Sequence, residues 1–272
     1  MSMVDADKVS DVIREATEKF ILPRYKALAA HEISSKTSPR DLVTQADLDV
    51  EDFLMKTLPA MRPGSIVIGE ESASKDPTIL DKLLNTDLEL WVVDPVDGTY
   101  NFVHGKREFG VMLALIKNGE TAQSWIYDVL GEEMTVAEKS AGAFSNGKKL
   151  QVKKVDGPKQ MSGHINPGFF PKQYRDHMRA TVAQFGECRS MACAAHEYLR
   201  VARGDTQFSI YSRLKPWDHL AGALTVQESG GYVAKWDGQP YAAKHRDTGL
   251  IVSSDFESWS SVFKAFIEPH AK

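Results

Sequence analysis

Two carboxylates lie on either side of a proline in the segment WVVDPVDGTYNFVHG, residues 91–105. Asp94 follows an apolar run that favours a buried strand, and Asp97 comes three residues later. Pro95 fixes its own φ and has no N–H, so the turn that carries both acids is stiff. Carboxylates held together repel each other unless a proton or a cation lies between them, and hard divalent ions prefer oxygen ligands. The segment therefore indicates a metal site, with an acid-rich surface turn as the alternative.

Further acids occur at the ends of other predicted elements. Glu70 and Glu71 follow the apolar run 65–68, and Asp218 lies where a helix is expected to begin. Asp47 lies near the start of another predicted helix, where capping alone would explain a carboxylate. Magnesium binds through a few carboxylates together with phosphate oxygens of a substrate, and acids that share metal ions can help to activate water. These acids indicate hydrolysis of a phosphate ester by metal-activated water.

Gly98 and Thr99 add a second feature to the same turn. If a helix begins after Asp97, its free N–H groups and positive dipole end offer a place for a phosphate group. Gly98 allows a close approach to the backbone, and Thr99 supplies a hydroxyl. The alternative is that Thr99 is an ordinary helix cap.

Other kinds of catalytic site are not indicated. The sequence has no GxSxG nucleophile elbow and no GxxxxGK[ST] phosphate loop. Its eight histidines are scattered, so a zinc site is not expected. The two cysteines, Cys188 and Cys193, are interpreted as buried thiols in a reducing compartment rather than as a disulfide.

The elements that position these groups can be predicted from hydrophobic periodicity. An amphipathic helix is predicted from about Asp7 to Ala29, with Pro23 as a kink or an end, and a second helix runs from Asp47 to a stop at 63–64. Strands are predicted at 65–68 and 88–93, followed by hairpin turns at Asn118-Gly119 and Asn146-Gly147. The remaining helices are expected at 174–185, 194–203, 217–229 and 255–267, and the remaining strands at 206–211, 231–235 and 248–252. The first half should therefore be two helices on a mainly antiparallel sheet.

Length and composition limit the possible classes of protein. The 272 residues allow one large domain or two fused lobes, and the polar stretch 152–161 suggests lobes at 1–152 and 153–272. A net charge of −4 with mixed signs does not favour nucleic-acid binding. No apolar run approaches 18 residues, and the N-terminus is acidic and amphipathic, so neither a membrane span nor a signal peptide is expected. The cytoplasm is the expected location.

Four segments carry a resemblance to a known family. GEES at 69–72, WVVDPVDGTYNFVHG at 91–105 and WDHLAG at 217–222 resemble signature segments of the inositol monophosphatase family. DLVTQAD at 41–47 resembles the family's segment with a water-orienting aspartate. The order and spacing match over essentially the whole chain. The resemblance implies a layered α-β-α-β-α fold of mixed α+β and α/β type, Mg²⁺-dependent phosphomonoesterase activity, inhibition by Li⁺, and a homodimer.

The resemblance also implies a role for each matching residue. Glu70, Asp94 and the carbonyl of Val96 would bind one Mg²⁺, whereas Asp94, Asp97 and Asp218 would bind a second. Glu70 would also help to hold a weaker third ion with its waters.

Further roles follow from the same resemblance. Asp47 and Thr99 would orient the attacking water, and Gly98 with Thr99 would hold the phosphate group. Asp97 and Asp218 would also lie against the substrate, Asp218 touching its hydroxyl. Glu71 would support the site, and Lys36 would offset carboxylate charge beside it.

Two positions depart from the family pattern. Tyr100 stands where a second threonine is usual, and Tyr211 stands where members that cleave inositol phosphates have a glutamate against the ring. Tyr211 is therefore a substrate-binding position whose preference differs. Inositol 1-phosphate is the first expected substrate, with histidinol phosphate, fructose 1,6-bisphosphate and 3′-phosphoadenosine phosphates as rivals. A regulatory partner of the transcription machinery is the alternative that is not an enzyme.

Overall fold

The computed structural model describes residues 3–39 and 41–270. Within these ranges the elements form five layers: helices, a seven-stranded sheet, helices, a four-stranded sheet and helices. The α-β-α-β-α fold expected from the sequence is confirmed. The division into lobes at residue 152 stays a prediction.

The first layer contains α1 (Ala6–Ala16) and α2 (Gln45–Met61). Val9, Ile13 and Ala16 of α1 are buried, as the helical spacing predicts. The prediction that this helix reaches residue 29 is wrong. It passes through a π turn at 17–21 and a 3₁₀ turn at 22–24. Pro23 cannot donate the next helical hydrogen bond, and the chain is extended at the following Tyr25.

A short antiparallel hairpin, β1 (Ile33–Ser35) and β2 (Leu42–Thr44), joins α1 to α2. Its register pairs Ile33 with Thr44, the residue that caps α2. The hairpin therefore connects directly to the first turn of α2, where Asp47 lies.

The larger sheet has its strands in chain order. β3 and β4 are parallel, and the other neighbours are antiparallel, which confirms a mainly antiparallel sheet. The strands are β3 (Ile66–Gly69), β4 (Leu90–Asp97), β5 (Gly110–Lys117), β6 (Glu120–Asp128), β7 (Glu133–Glu138), β8 (Gly142–Ser145) and β9 (Lys148–Lys149). Two short helices, α3 (Glu70–Lys75) and α4 (Thr99–Val103), begin at the ends of β3 and β4.

Both predicted hairpin turns are confirmed. Asn118 and Gly119 have φ values of 54° and 75° between β5 and β6, and Asn146 and Gly147 have values of 43° and 79° between β8 and β9. Positive φ at both central residues suits the twist of adjoining antiparallel strands, and Asn-Gly tolerates it at low cost.

Side chains of the larger sheet alternate between two apolar cores. Trp91 and Val93 face α1 and α2, whereas Val92 and Met112 face the opposite layer. That layer contains α6 (Ala194–Ala202) and α7 (Pro216–Glu228). A strand in the middle of such a stack is apolar on both faces, and every residue of β4 is buried. The acids in β4 are therefore carried into the interior.

The second sheet has the order β10-β11-β13-β12. Its strands are β10 (Gly163–Ile165), β11 (Phe208–Tyr211), β12 (Tyr232–Lys235) and β13 (Leu250–Ser253). One face packs on α6 and α7. The other packs on α5 (Arg175–Thr181) and α8 (Phe256–Phe266). In the described part of the chain, none of the helices combines the length and apolar character that crossing a bilayer requires.

Candidate metal centre

Two parallel strands bring the first pair of acids together. β3 and β4 are aligned so that Gly69 pairs with Val93. Glu70 directly follows Gly69, and Asp94 directly follows Val93. Both carboxylates therefore come to the same end of the sheet. After Asp94 the pairing of β4 with β5 shifts register. Pro95 lies in this irregular stretch, where its missing N–H interrupts no regular ladder.

A third acid comes from the first turn of α7. Pro216 begins this helix, as is favourable at a first helical position, and Asp218 follows within the turn. Carboxylate oxygens of Glu70, Asp94 and Asp218 lie within 4.8 Å of one another, and in the described residues they form a group able to hold a metal ion. Residues more than 140 positions apart in sequence thus converge on one point.

Asp94 provides the strongest indication that a cation binds at this group. Its side chain is 2% exposed, and its Oδ1 atom has no hydrogen-bond partner among the described residues. Burying an unpaired carboxylate oxygen is costly unless a cation or a proton satisfies it. An all-oxygen group of this kind fits a hard divalent ion such as Mg²⁺. The residues present therefore fit the cofactor that the sequence predicts.

The electrostatics of the group agree with this interpretation. Burial raises the pKa of Asp94 well above its usual value, and repulsion from Glu70, Asp97 and Asp218 raises it further. Burial likewise raises the pKa of Asp218 to about 8. Without a cation, the folded protein must either hold these charges close together or take up protons.

Two lysines lie against the same acids. Lys36 Nζ is 3.1 Å from Glu70 Oε1 and 2.5 Å from Glu71 Oε1, and Lys215 Nζ is 3.3 Å from Glu70 Oε1. Burial alone would lower the pKa of Lys36, but the charges of Glu70 and Glu71 raise it overall. Lys36 therefore stays charged beside the acids, as the sequence analysis expects.

Asp47 uses its two carboxylate oxygens differently. Its Oδ2 accepts hydrogen bonds from the Thr44 amide at 2.8 Å and the Thr44 hydroxyl at 2.6 Å, so the capping role is present. Its Oδ1 lies 3.2 Å from the Thr99 hydroxyl. Burial raises the pKa of Asp47 to about 7. A carboxylate with that pKa can accept a proton near neutral pH.

The Thr99 hydroxyl also lies 2.9 Å from the carbonyl oxygen of Val96, the predicted backbone ligand. Because this hydroxyl has one proton, it can donate to Val96 or to Asp47 but not fully to both. Gly98 precedes it with a φ of 84°, and a Cβ there would lie 2.8 Å from the Glu108 carbonyl oxygen. Glycine is thus required at the turn that places Thr99.

Asp97 lies outside the three-acid group, and one of its oxygens bonds to the segment that begins α6. Its Oδ2 accepts hydrogen bonds from the Ala195 amide at 2.6 Å and from the Cys193 thiol at 2.9 Å. It therefore satisfies the N-terminus of α6, which Cys193 precedes. Its role as a metal ligand stays a prediction.

Tyr211 lies between aromatic neighbours in the core beside α6 and α7. Its ring is 5.2 Å from that of Tyr198 and 4.7 Å from that of His219. Burial raises the pKa of Tyr211 well above its usual value, and the charge of Glu197 raises it further. Tyr100 instead stacks on His104 at 4.1 Å. Of the two tyrosines that depart from the family pattern, Tyr211 is thus the one packed beside the acid-bearing helices α6 and α7.

Sequence reasoning missed two residues of this region, Cys193 and Glu197. Glu197 is buried, accepts the Met191 amide at 2.9 Å, and has a pKa that burial raises to about 7. Cys193 was classified only as a buried thiol. Neither residue stands at a strand end or in a recognisable motif, and both reach the site through the docking of α6. The only local signal was the predicted start of that helix at 194.

Comparisons with known proteins identify the family of this chain. Residues 5–268 match the model of the inositol monophosphatase family. Inositol-1-monophosphatase of Bacillus subtilis is 32% identical over 84% of each chain, and the Nus factor SuhB of Vibrio cholerae is 30% identical over 81% of this chain and 80% of its own. Among solved structures, a lithium-chloride-soaked inhibitory complex of staphylococcal inositol monophosphatase-1 has a TM-score of 0.84 and 21% identity. The match covers 97% of this chain and 95% of that one.

Proposed function

The chain belongs to the inositol monophosphatase family and is a phosphoric monoester hydrolase, and we propose that it cleaves a small polyol phosphate with Mg²⁺ as its cofactor. The observation that carries this proposal is the three-acid group of Glu70, Asp94 and Asp218 with its unpartnered Asp94 oxygen. We expect two or three ions to bind there. Glu70, Asp94, Asp218, Asp97 and the carbonyl of Val96 would hold them.

Each residue around this group has a distinct task in the proposed reaction. When bound, Mg²⁺ offsets the charge of the phosphoryl group and promotes ionisation of water. Asp47 accepts the proton that the attacking water loses, because its raised pKa matches neutral pH. Thr99 holds Asp47 and the water in line through its hydroxyl.

The remaining groups bind the substrate. Gly98 leaves its backbone open to a phosphate oxygen, and the first turn of α4 adds N–H groups to it. Asp218 at the start of α7 contacts the hydroxyl of the leaving alcohol. Tyr211 and Glu197 lie deeper and limit which alcohol fits.

Inositol 1-phosphate is the first candidate substrate, supported by the name of the Bacillus subtilis relative. Because Tyr211 stands in place of a glutamate, three other substrates are also candidates: histidinol phosphate, fructose 1,6-bisphosphate and 3′-phosphoadenosine phosphates. The Li⁺ inhibition that we expect agrees with the lithium-soaked state of the staphylococcal protein. A cytoplasmic location and a homodimer are part of the same proposal.

A phosphatase screen tests this function. The purified protein, freed of metal with EDTA and then given Mg²⁺, should release phosphate from at least one of these esters. Li⁺ should lower the rate. Asp94→Asn should abolish turnover in the same screen, while the exposed control Asp87→Asn should not. Release of phosphate that is unaffected by EDTA would contradict the proposal.

A second candidate function rests on the name of the Vibrio cholerae relative, Nus factor SuhB. A chain of this kind would act by binding the transcription machinery. Purified RNA polymerase and this protein would then co-elute in gel filtration, and Asp97→Asn would leave both that complex and cell growth intact. Absence of a complex at micromolar concentrations would exclude this candidate.

A further inference from the structure

We propose that Cys193 is a positioning residue of the metal centre, which holds Asp97 so that its second carboxylate oxygen faces the cations. This inference rests on the proposed function, because it assigns Asp97 to the metal site. It gives a role to a buried thiol that the sequence motifs do not include.

The contact between the two side chains is direct and buried. The Cys193 Sγ atom lies 2.9 Å from Asp97 Oδ2, and Cys193 is 3% exposed. The Ala195 amide donates to the same oxygen at 2.6 Å. Asp97 Oδ2 thus accepts two hydrogen bonds from the protein, and Oδ1 would then be the oxygen that serves a cation.

The thiol occupies a position where another residue type is expected. Cys193 precedes α6 at the N-cap, where serine, threonine, aspartate or asparagine usually accept an amide proton from the helix. Its side chain makes no such cap bond. Instead, Asp97 from β4 accepts the amide proton of α6, and the thiol donates to that acid. The helix end and the acid therefore stabilise each other.

The direction of the hydrogen bond follows from the chemistry of the two groups. A carboxylate oxygen accepts, so the thiol is the donor. The Cys193 Sγ atom lies 2.9 Å from Asp97 Oδ2 and 3.7 Å from the Asp97 carbonyl oxygen, so the contact with the side chain is the shorter one. The thiol therefore holds the Asp97 carboxylate by its Oδ2 atom.

The surrounding backbone fixes this contact. A Cβ at Gly98 would lie 3.1 Å from Cys193 Cβ and 3.3 Å from Sγ, so the thiol packs against the glycine next to Asp97. Asn101 Nδ2 donates to the carbonyl oxygens of Glu108 at 2.7 Å and Met191 at 2.9 Å. The segment before α6 is thereby tied to α4, which keeps the backbone near Cys193 close to the turn that carries Asp97.

Two substitutions separate positioning from packing. Cys193→Ala removes the donor, whereas Cys193→Ser keeps a donor in nearly the same place. Cys188→Ser is the matched control, because Cys188 is the other free thiol and is only partly buried. The measurements are the Mg²⁺ concentration for half-maximal activity, kcat, and the rise in Tm that Mg²⁺ produces without substrate.

Cys193→Ala should raise the half-activating Mg²⁺ concentration about tenfold, as expected for loss of a hydrogen bond to a charged group. The rise in Tm with Mg²⁺ should need a similarly higher concentration. Cys193→Ser should restore both values to within about twofold of the wild type. Raman spectra can assign the S–H band of Cys193, because this band is lost in Cys193→Ser and kept in Cys188→Ser. The band should lie at the frequency of a strongly hydrogen-bonded thiol, and it should shift when Mg²⁺ is added.

Other results would overturn the proposal. A role in packing alone predicts that Cys193→Ala lowers the Tm of the metal-free protein and leaves both Mg²⁺ concentrations unchanged. Equal defects in the serine and alanine variants would also exclude it. Failure of the proposed function looks different, because the wild-type protein itself would then show neither phosphate release nor a Mg²⁺-dependent Tm.

Discussion

The Thr99 hydroxyl lies 3.2 Å from Asp47 Oδ1, although the two residues are 52 positions apart in sequence. This contact joins the first turn of α2 to the turn at the end of β4. Because Asp47 Oδ2 is held by Thr44, Oδ1 is the oxygen available for a proton from water. The pair therefore combines a fixed acceptor with a hydroxyl that aligns it.

Removing this hydroxyl should impair turnover more than stability. We expect Thr99→Ala to lower kcat by about 100-fold or more, the usual contribution of a positioned acid–base pair. Thr99→Ser retains a hydroxyl and should keep most of the activity. The kcat of each variant and its Tm check this. Near-normal kcat in the alanine variant, or an equal loss in both, would contradict the role.

Asp94→Asn should stabilise the metal-free protein while it abolishes activity. The substitution removes a buried carboxylate that is repelled by Glu70 and Asp218 and has an unpartnered oxygen. In EDTA at pH 8, Tm should rise by about 2–4 °C for each kcal/mol of repulsion removed. The Mg²⁺-dependent rise in Tm should disappear.

The exposed Asp87 provides the control for this substitution. Asp87→Asn removes the same charge far from any group of acids, and its Tm with and without Mg²⁺ should match the wild type. A metal-free Asp94→Asn protein that melts below the wild type would show that Asp94 is not under repulsion.

Site residues that belong to a local sequence pattern could be predicted, whereas those that depend on long-range contacts could not. Glu70 and Asp218 lie in the first turns of helices and Asp94 follows an apolar run, and these local patterns are enough to predict a metal group. Asp97 behaves differently, because its Oδ2 atom is held by a contact with Cys193, which is 96 residues away in sequence. No local pattern encodes such a contact.

The fold shows the same limit. The hairpin turns at the two Asn-Gly pairs and the apolar strand that leads into Asp94 are local properties and were predicted correctly. The helix was predicted to reach residue 29, but α1 ends at Ala16 and the 3₁₀ turn that continues it ends at Arg24, directly after Pro23, which has no N–H to donate. Glu197 was overlooked because the contacts that bury it, such as its bond with the Met191 amide, form only when the layers pack.

Tyr211 is predicted to control which alcohol the enzyme accepts. Tyr211→Glu should raise kcat/KM for inositol 1-phosphate relative to the other esters, since a glutamate at this position contacts the ring in the family that the sequence resembles. The new carboxylate would, however, lie beside the buried Glu197. The single variant should therefore be less stable than the wild type.

Glu197→Gln combined with Tyr211→Glu removes that repulsion. The double variant should recover Tm and show the larger change in preference, which is measured as the ratio of kcat/KM values for inositol 1-phosphate and histidinol phosphate. Glu197→Gln alone is the control, because it shows what replacing the Glu197 carboxylate by an amide does when Tyr211 is unchanged. An unchanged ratio in both Tyr211 variants would place the alcohol subsite elsewhere.

His164 should make stability depend on pH in a direction that the structure determines. It is 1% exposed, with Nδ1 3.2 Å from the Arg189 carbonyl oxygen and Nε2 3.2 Å from the Thr206 hydroxyl. Burial, together with the neighbouring charges of Arg200 and Arg189, lowers its pKa from 6.5 to about 4. The unfolded chain therefore binds a proton below pH 6.5 that the folded protein does not accept until about pH 4.

The free energy of unfolding should thus fall as the pH drops from 6.5 toward 4, by up to about 1.4 kcal/mol per pH unit from this residue alone. His164→Gln should remove that share, so the difference in unfolding free energy between wild type and variant should shrink or reverse on acidification. Urea unfolding in EDTA at a series of pH values measures it, with the exposed His31→Gln as control. A wild-type–variant difference that stays constant over this range would mean that His164 titrates alike in the folded and unfolded chains. The neutral histidine would then not be what holds β10 to the segment before α6.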